Sequence, residues 1–169
     1  MSEVKAVLEA QVKDNRISWE QYFIQILKCT ALRSSCLSSK KGAIIVKDNR
    51  LVGAGYSGAP TNVKSCIETG VCRKRQLGYS HGTGHEQCIA VHAEANAILN
   101  CALNGISTKD CIMYCTHKPC VNCLKMIIQS GIKKVFYLYD YEDPFTDELL
   151  SQTQIICKEV YDETSKDIT

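Results

Sequence analysis

The chain has 169 residues, 45% hydrophobic and 22% charged, with 10 Gly and 3 Pro. That composition excludes a disordered, collagenous or coiled-coil chain, and the length suits one domain. The net charge of +2 hides an asymmetry: residues 1–139 carry 18 Lys and Arg against 9 Asp and Glu, while residues 140–169 carry 2 against 9. The body of the domain is therefore suited to attract an anion such as a phosphate.

No run of about 18 apolar residues offers a membrane span, so no membrane partner is expected. The first residues include Glu3, Lys5, Glu9 and Lys13 and lack an apolar h-region. We therefore expect no secretory signal and a cytoplasmic protein. Val4 to Val12 is amphipathic and reads as a short helix. Ser18-Trp19-Glu20-Gln21 has the form of a capping box, and Tyr22, Phe23, Ile26, Leu27 and Leu32 continue as a helical stripe to about residue 34. Ala43 to Val46 is a β-branched run, Lys47 to Arg50 a turn, and Leu51 to Tyr56 a second strand, together a hairpin.

Residues 57–90 fit no period. They hold five glycines, Ala59-Pro60, and Cys66, Cys72, His81, His85 and Cys88. A structureless stretch this long inside a small domain needs something to hold it, and a metal is the obvious candidate. Beyond it, helices are predicted over Ala93–Leu103, Cys120–Ser130 and Thr146–Gln152. Strands are predicted over Cys111–Thr116, Lys134–Tyr139 and Ile155–Val160, and Tyr161 to Thr169 reads as a frayed tail. The alternation implies an α/β sandwich around one central sheet, a single domain over 1–169.

Eleven cysteines are an odd number, and no signal peptide is expected before them. Both points favour metal thiolates and buried free thiols over a disulfide framework. Cys29, Cys101, Cys111, Cys115 and Cys157 lie in apolar stretches and read as small core residues. The chemistry concentrates elsewhere. His92-Ala93-Glu94 opens one predicted helix, and Pro119-Cys120-Val121-Asn122-Cys123 opens the next. Two thiols at a helix N-terminus are favoured as thiolates by the free N–H groups and the helix dipole. With neutral His92 they satisfy three corners of a Zn²⁺ tetrahedron and leave the fourth open. Glu94 is too close to His92 in sequence to be a comfortable fourth ligand and is placed to move protons. A structural zinc closed by His117, with Glu94 a bystander, is the competing explanation.

His-x-Glu followed by Pro-Cys-x-x-Cys is the known signature of the zinc nucleobase deaminases. Over Arg33 to about Tyr139 the sequence resembles the deoxycytidylate (dCMP) deaminases of the cytidine deaminase superfamily. The resemblance is carried by Arg33-Ser34-Ser35-Cys36, Gly42 to Asp48, Gly55 to Pro60, His92 to Ile98, Met113 to Thr116, Pro119 to Cys123 and Gly131 to Val135. It implies a three-layer α/β/α sandwich with a five-stranded mixed sheet. It also implies hydrolysis of dCMP to dUMP and ammonia, supplying thymidylate synthesis, in a homo-oligomer that is commonly a hexamer. Carried over residue by residue, His92, Cys120 and Cys123 hold the catalytic zinc and Glu94 shuttles the proton. Ala93, Tyr139 and Arg33 are expected at the substrate, with Lys40 and Lys41 as further cations.

In one branch of the family a second, structural zinc staples the insertion at 57–90. Its ligands here would be Cys36, Cys66, His85 and Cys88, with Cys72 or His81 able to replace one. Tyr56, Ser57 and Gly58 stand where the family often reads Gly-Tyr-Asn-Gly at a site activated by dCTP and inhibited by dTTP. Ser57 keeps a hydroxyl where Asn offers a whole amide, which puts that control in doubt. Other deaminases of the fold, acting on dCTP, cytidine, a riboflavin precursor or tRNA adenosine, share the first zinc motif. The modest basic excess argues against a nucleic-acid partner. A non-catalytic zinc-binding module is the reading from a different class.

Overall fold

The computed structural model describes residues 15–80 and 83–163. The Val4–Val12 helix, His81 and the tail from residue 164 lie outside those bounds. Ser18 starts the first helix, α1 (Trp19–Ala31), its hydroxyl accepting from Gln21 N at 3.2 Å. Only that half of the expected capping box forms. The Gln21 side chain turns away, donating to Tyr161 O at 2.8 Å and accepting from Glu163 N at 3.1 Å. The chain is thus fastened at Tyr161 to Glu163, where fraying was expected to begin.

Strands β1 (Gly42–Lys47) and β2 (Arg50–Tyr56) form the predicted hairpin. Asp48 and Asn49 both take positive φ, the backbone of the tight turn that matches strand twist. The later elements are α4 (Ala93–Leu103), β3 (Ile112–His117), α5 (Val121–Gln129), β4 (Lys134–Tyr139), α6 (Pro144–Ser151) and β5 (Ile156–Glu159). The helix predicted from Thr146 starts earlier because Asp143 caps it and Pro144 occupies its first turn, where a missing N–H costs nothing. The insertion also has local structure: one-turn helices α2 (Cys66–Thr69) and α3 (Arg73–Gln76), and a 3₁₀ turn at His85–Gln87. Ser65 and Glu68 complete a capping box on α2.

The sheet runs β2-β1-β3-β4-β5, with β2-β1 and β1-β3 antiparallel and β3-β4 and β4-β5 parallel. The expected five-stranded mixed sheet is present. Alternation along β1 divides its side chains between two layers. Ile44 and Val46 join Phe23, Leu27 and Tyr114 under α1, while Ala43 and Ile45 join Ala97, Cys101, Met113 and Val135 under α4 and α5. Cys101, Cys111 and Cys115 are buried as expected, but Cys29 is exposed on the outer side of α1 and Cys157 is only partly covered.

Helix α4 lies unusually close to β2. A Cβ added at Gly55 would stand 2.3 Å from Ala97 N and 2.4 Å from Ala93 O. Asn96 and Asn100 donate to Tyr56 O and Ala54 O at 2.8 and 2.7 Å, covering backbone acceptors of this edge strand. The contact fixes the N-terminal turn of α4 against the sheet, and that turn carries the candidate chemistry.

Candidate metal centre and active site

His92 is the N-cap of α4 and Cys120 the N-cap of α5, neither making a side-chain cap bond. Both side chains are therefore free to turn toward each other. His92 Nδ1 lies 3.5 Å from Cys120 Sγ and 3.5 Å from Cys123 Sγ. Zn–S near 2.3 Å and Zn–N near 2.0–2.1 Å at a tetrahedral angle require an S···N separation of about 3.5 Å. The three donors thus fit one zinc ion. Among the described residues they form the one group of three or more such side chains whose ligand atoms all lie within 4.8 Å. His117 is not part of it: its Nδ1 lies 3.2 Å from Thr116 Oγ1 and its ring rests against Tyr139. The fourth ligand that would close a purely structural site is therefore not His117.

The electrostatics favour a thiolate at Cys120. Its thiol is pushed down, first by the hydrogen bond from Cys123 and then by the one from His92, against its burial, while Cys123, which donates in that bond, is pushed up. His92 is raised by its bond to Cys120. Glu94 is 6% exposed, with Oε2 3.6 Å from Cys123 Sγ. Burial raises its pKa, so its carboxyl holds a proton more readily than a solvated one. A buried carboxyl thus stands beside the three candidate metal donors without belonging to their group.

The other expected residues are distributed unevenly. Ala93 is buried at the start of α4, while Arg33 is exposed at the end of α1. Tyr139 is 58% exposed, against His117. Tyr141, two residues on, is better covered and within electrostatic reach of the centre. Its phenol is raised first by burial and then by the negative charges of Cys120, Asp143 and Glu94. No periodic pattern marks it, because it lies in the turn between β4 and α6. Ser57 is buried, donating its N–H to Lys41 O at 3.0 Å, and Gly58 bridges to Val91 just before His92. Tyr56 is partly exposed.

In the insertion, Cys66 is raised by burial first and then by the neighbouring thiols of Cys72, Cys36 and Cys88. Cys36, Cys72 and Cys88 share the wall of one cavity of about 290 Å³. Among the described residues no three of these donors approach within 4.8 Å of one another. His85 leans the other way, its ring edge-on to His92 at 5.0 Å between centroids.

Residues 17–139 match the family model described as the cytidine and deoxycytidylate deaminase zinc-binding region. A deoxycytidylate deaminase of Mycobacterium phage D29 is 40% identical over 128 residues, spanning 73% of this chain and 96% of that protein. ComE operon protein 2 of Bacillus subtilis is 38% identical over 147 residues, 86% of this chain and 72% of that one. Among solved structures, the dCMP deaminase of cyanophage S-TIM5 in complex with dCMP and dUMP superposes with a TM-score of 0.69 at 27% identity, covering 83% of this chain and 96% of that chain. With its donors set for one zinc ion and a buried carboxyl beside them, the chain belongs to the cytidine and deoxycytidylate deaminase family of zinc-dependent hydrolases.

Proposed function

We propose that this protein hydrolyses dCMP to dUMP and ammonia, with His92, Cys120 and Cys123 as the zinc ligands and Glu94 as the proton carrier. The observation that carries the reading is the fit of the three donors to one tetrahedral ion with Glu94 beside them. Zinc, when bound, supplies Lewis acidity that makes water reactive at neutral pH. The chain's own groups do the rest. Water oxygen forms a bond to C4 of cytosine, and Glu94 takes the water proton and passes it to N3. Glu94 then takes the remaining proton from the new C4 hydroxyl and delivers it to the amine, so that the C4–N bond breaks and the C4 carbonyl of dUMP forms as ammonia leaves. Its buried, proton-retaining carboxyl suits both directions of transfer. We assign the Ala93 backbone, at the start of α4, and the Tyr141 side chain to contact with the base.

The same reading assigns a structural zinc to Cys36, Cys66, His85 and Cys88, with Cys72 or His81 able to replace one of them, and nucleotide control by dCTP and dTTP to Tyr56, Ser57 and Gly58 in a homo-oligomer. The test is ammonia release from dCMP, deoxycytidine and dCTP by zinc-loaded protein, with metal analysis alongside. Turnover of dCMP with two zinc ions per chain is the expected result. One zinc per chain removes the structural site, and no turnover of dCMP removes the function. Adding dCTP or dTTP to the same assay tests the control, and light scattering tests the assembly.

A further inference from the structure

The cavity of about 290 Å³ that reaches His92 and His85 is lined both by Cys36, Cys72 and Cys88 and by basic side chains. Lys41, Lys74 and Arg75 all line it, and no carboxylate does among the described residues around it. Neighbouring cations are held otherwise. Lys40 donates to Ser34 O at 2.6 Å, Arg73 donates to Gln87 Oε1 at 3.3 Å, and Arg33 does not reach the cavity. Three like charges facing one hollow repel each other unless an anion shares it, and the thiols that line it with them would give their charge to the structural zinc proposed above rather than to these cations. Hydroxyls of Ser38 and Ser39 stand beside them, and Arg75 Nη2 donates to Ser38 Oγ at 3.4 Å, tying the insertion to the loop before β1.

We propose that Lys74 and Arg75, carried by the insertion, join Lys41 in holding the phosphate of the nucleotide substrate, so that the insertion sets nucleotide over nucleoside. This rests on the deaminase reading above and assigns the phosphate end of that same site. An Arg fork and two ammonium groups match a phosphate dianion, and the hollow begins at His92, where the base would be attacked. Two cysteines of the insertion, Cys72 and Cys88, line the same cavity. Cys72 is the N-cap of α3, the turn that bears Lys74 and Arg75, so whatever fixes Cys72 also fixes the two cations.

The test compares wild type, Lys74→Gln, Arg75→Gln and the double variant on dCMP and deoxycytidine. Arg50→Gln, at the start of β2 and outside the cavity, controls for lost net charge. Each single change should raise KM for dCMP by about 10–100-fold, the range for a charge-assisted hydrogen bond, with kcat nearly unchanged. kcat/KM for deoxycytidine should stay at the wild-type value. Calorimetry with dUMP against deoxyuridine should show the same phosphate-specific loss, and it reads binding whether or not turnover occurs. An unchanged KM for dCMP together with unchanged dUMP affinity overturns the inference. So does an equal loss on deoxycytidine, or a change confined to the response to dCTP, which would make this an effector site. A wild type that binds dUMP through these cations yet deaminates nothing would refute the deaminase reading alone.

Discussion

Gly55→Ala tests how tightly catalysis depends on the seat of α4. The added Cβ would meet Ala97 N at 2.3 Å, Ala93 O at 2.4 Å and Asn96 C at 2.8 Å, all backbone. An ordinary contact begins near 3.4 Å, so the first turn of α4 must retreat from β2 by about 1 Å. Overpacking of this kind costs about 1–3 kcal/mol, and in a domain of this length each kcal/mol lowers Tm by about 2–4 °C. The catalytic cost should be larger than the stability loss suggests, because the displaced turn carries His92 and Glu94. A misplacement of about 1 Å can cost on the order of 10²-fold in rate. Gly53→Ala is the internal comparison: its Cβ meets Cys101 Sγ at 2.4 Å, a side-chain end, and then Ala97 O at 3.4 Å. Cys101→Ala removes that sulfur, so the Gly53→Ala/Cys101→Ala pair should recover most of the stability lost by Gly53→Ala. No side-chain deletion can rescue Gly55→Ala. Thermal melts and dCMP turnover on the set decide the matter. Wild-type Tm and kcat in Gly55→Ala would show that the close approach does not position the site.

Glu94→Gln should lower kcat by about 10²–10⁴, the usual share of general acid–base catalysis, with zinc content unchanged. The fold should tolerate it, since Gln keeps the shape of the buried side chain and can still accept at its Oε1; a variant with full activity would remove Glu94 from the chemistry. Dialysis against a chelator should abolish turnover and lower Tm, and added Zn²⁺ should restore both; persistent activity in metal-free protein would contradict the metal centre. Asp143→Ala should destabilise by about 0.5–2 kcal/mol, because Asp143 accepts from Thr146 N and Oγ1 at 3.2 and 2.8 Å at the start of α6. Burial alone would raise the Asp143 pKa, but the bonds from Thr146 outweigh it and hold the carboxyl low. The stability it adds is therefore fully present above its unfolded pKa of about 3.9 and is lost as pH falls through the depressed folded value. Denaturant melts should show the gap from Asp143→Ala narrowing toward acid pH; a gap independent of pH would show that the carboxylate charge is not what caps the helix.

The sequence was most legible where local pattern and chemistry coincide. His92, Cys120 and Cys123 are far apart in sequence, yet each stands at a helix start, and the sheet brings those starts to one place. The hairpin was readable because Asp48-Asn49 tolerates positive φ. What escaped is what tertiary contact decides. Gln21 has the form of a capping residue but is claimed by Tyr161 and Glu163, partners 140 or more residues away. Cys29 looked like core because its neighbours are apolar, yet it falls on the outer side of α1. The turn at Cys66–Thr69 did have a local signal, Ser65 three residues before Glu68, hidden in a segment without hydrophobic period. Tyr141 had none: its place beside the centre depends on where β4 ends and where Asp143 starts α6.

The charge asymmetry read from the sequence acquires a physical role in the fold. Lys118, just before Pro119-Cys120, is only 8% exposed, and its Nζ lies 3.3 Å from Asp140 Oδ1 and 2.7 Å from Asp147 Oδ1. Burial lowers its pKa, but the bonds to the two aspartates outweigh this and keep it charged. Part of the acidic C-terminal excess is therefore spent on a cation buried beside the thiolate loop, and Asp143 is spent on the cap of α6. On the other side of the centre, Lys41, Lys74 and Arg75 line their cavity without carboxylates among the described residues there. An acid that neutralised those three would compete with a phosphate, whereas an acid at Lys118 competes with nothing the reaction needs. The division of charge along the chain thus becomes a division between groups that hold the metal loop and groups left open to an anionic substrate.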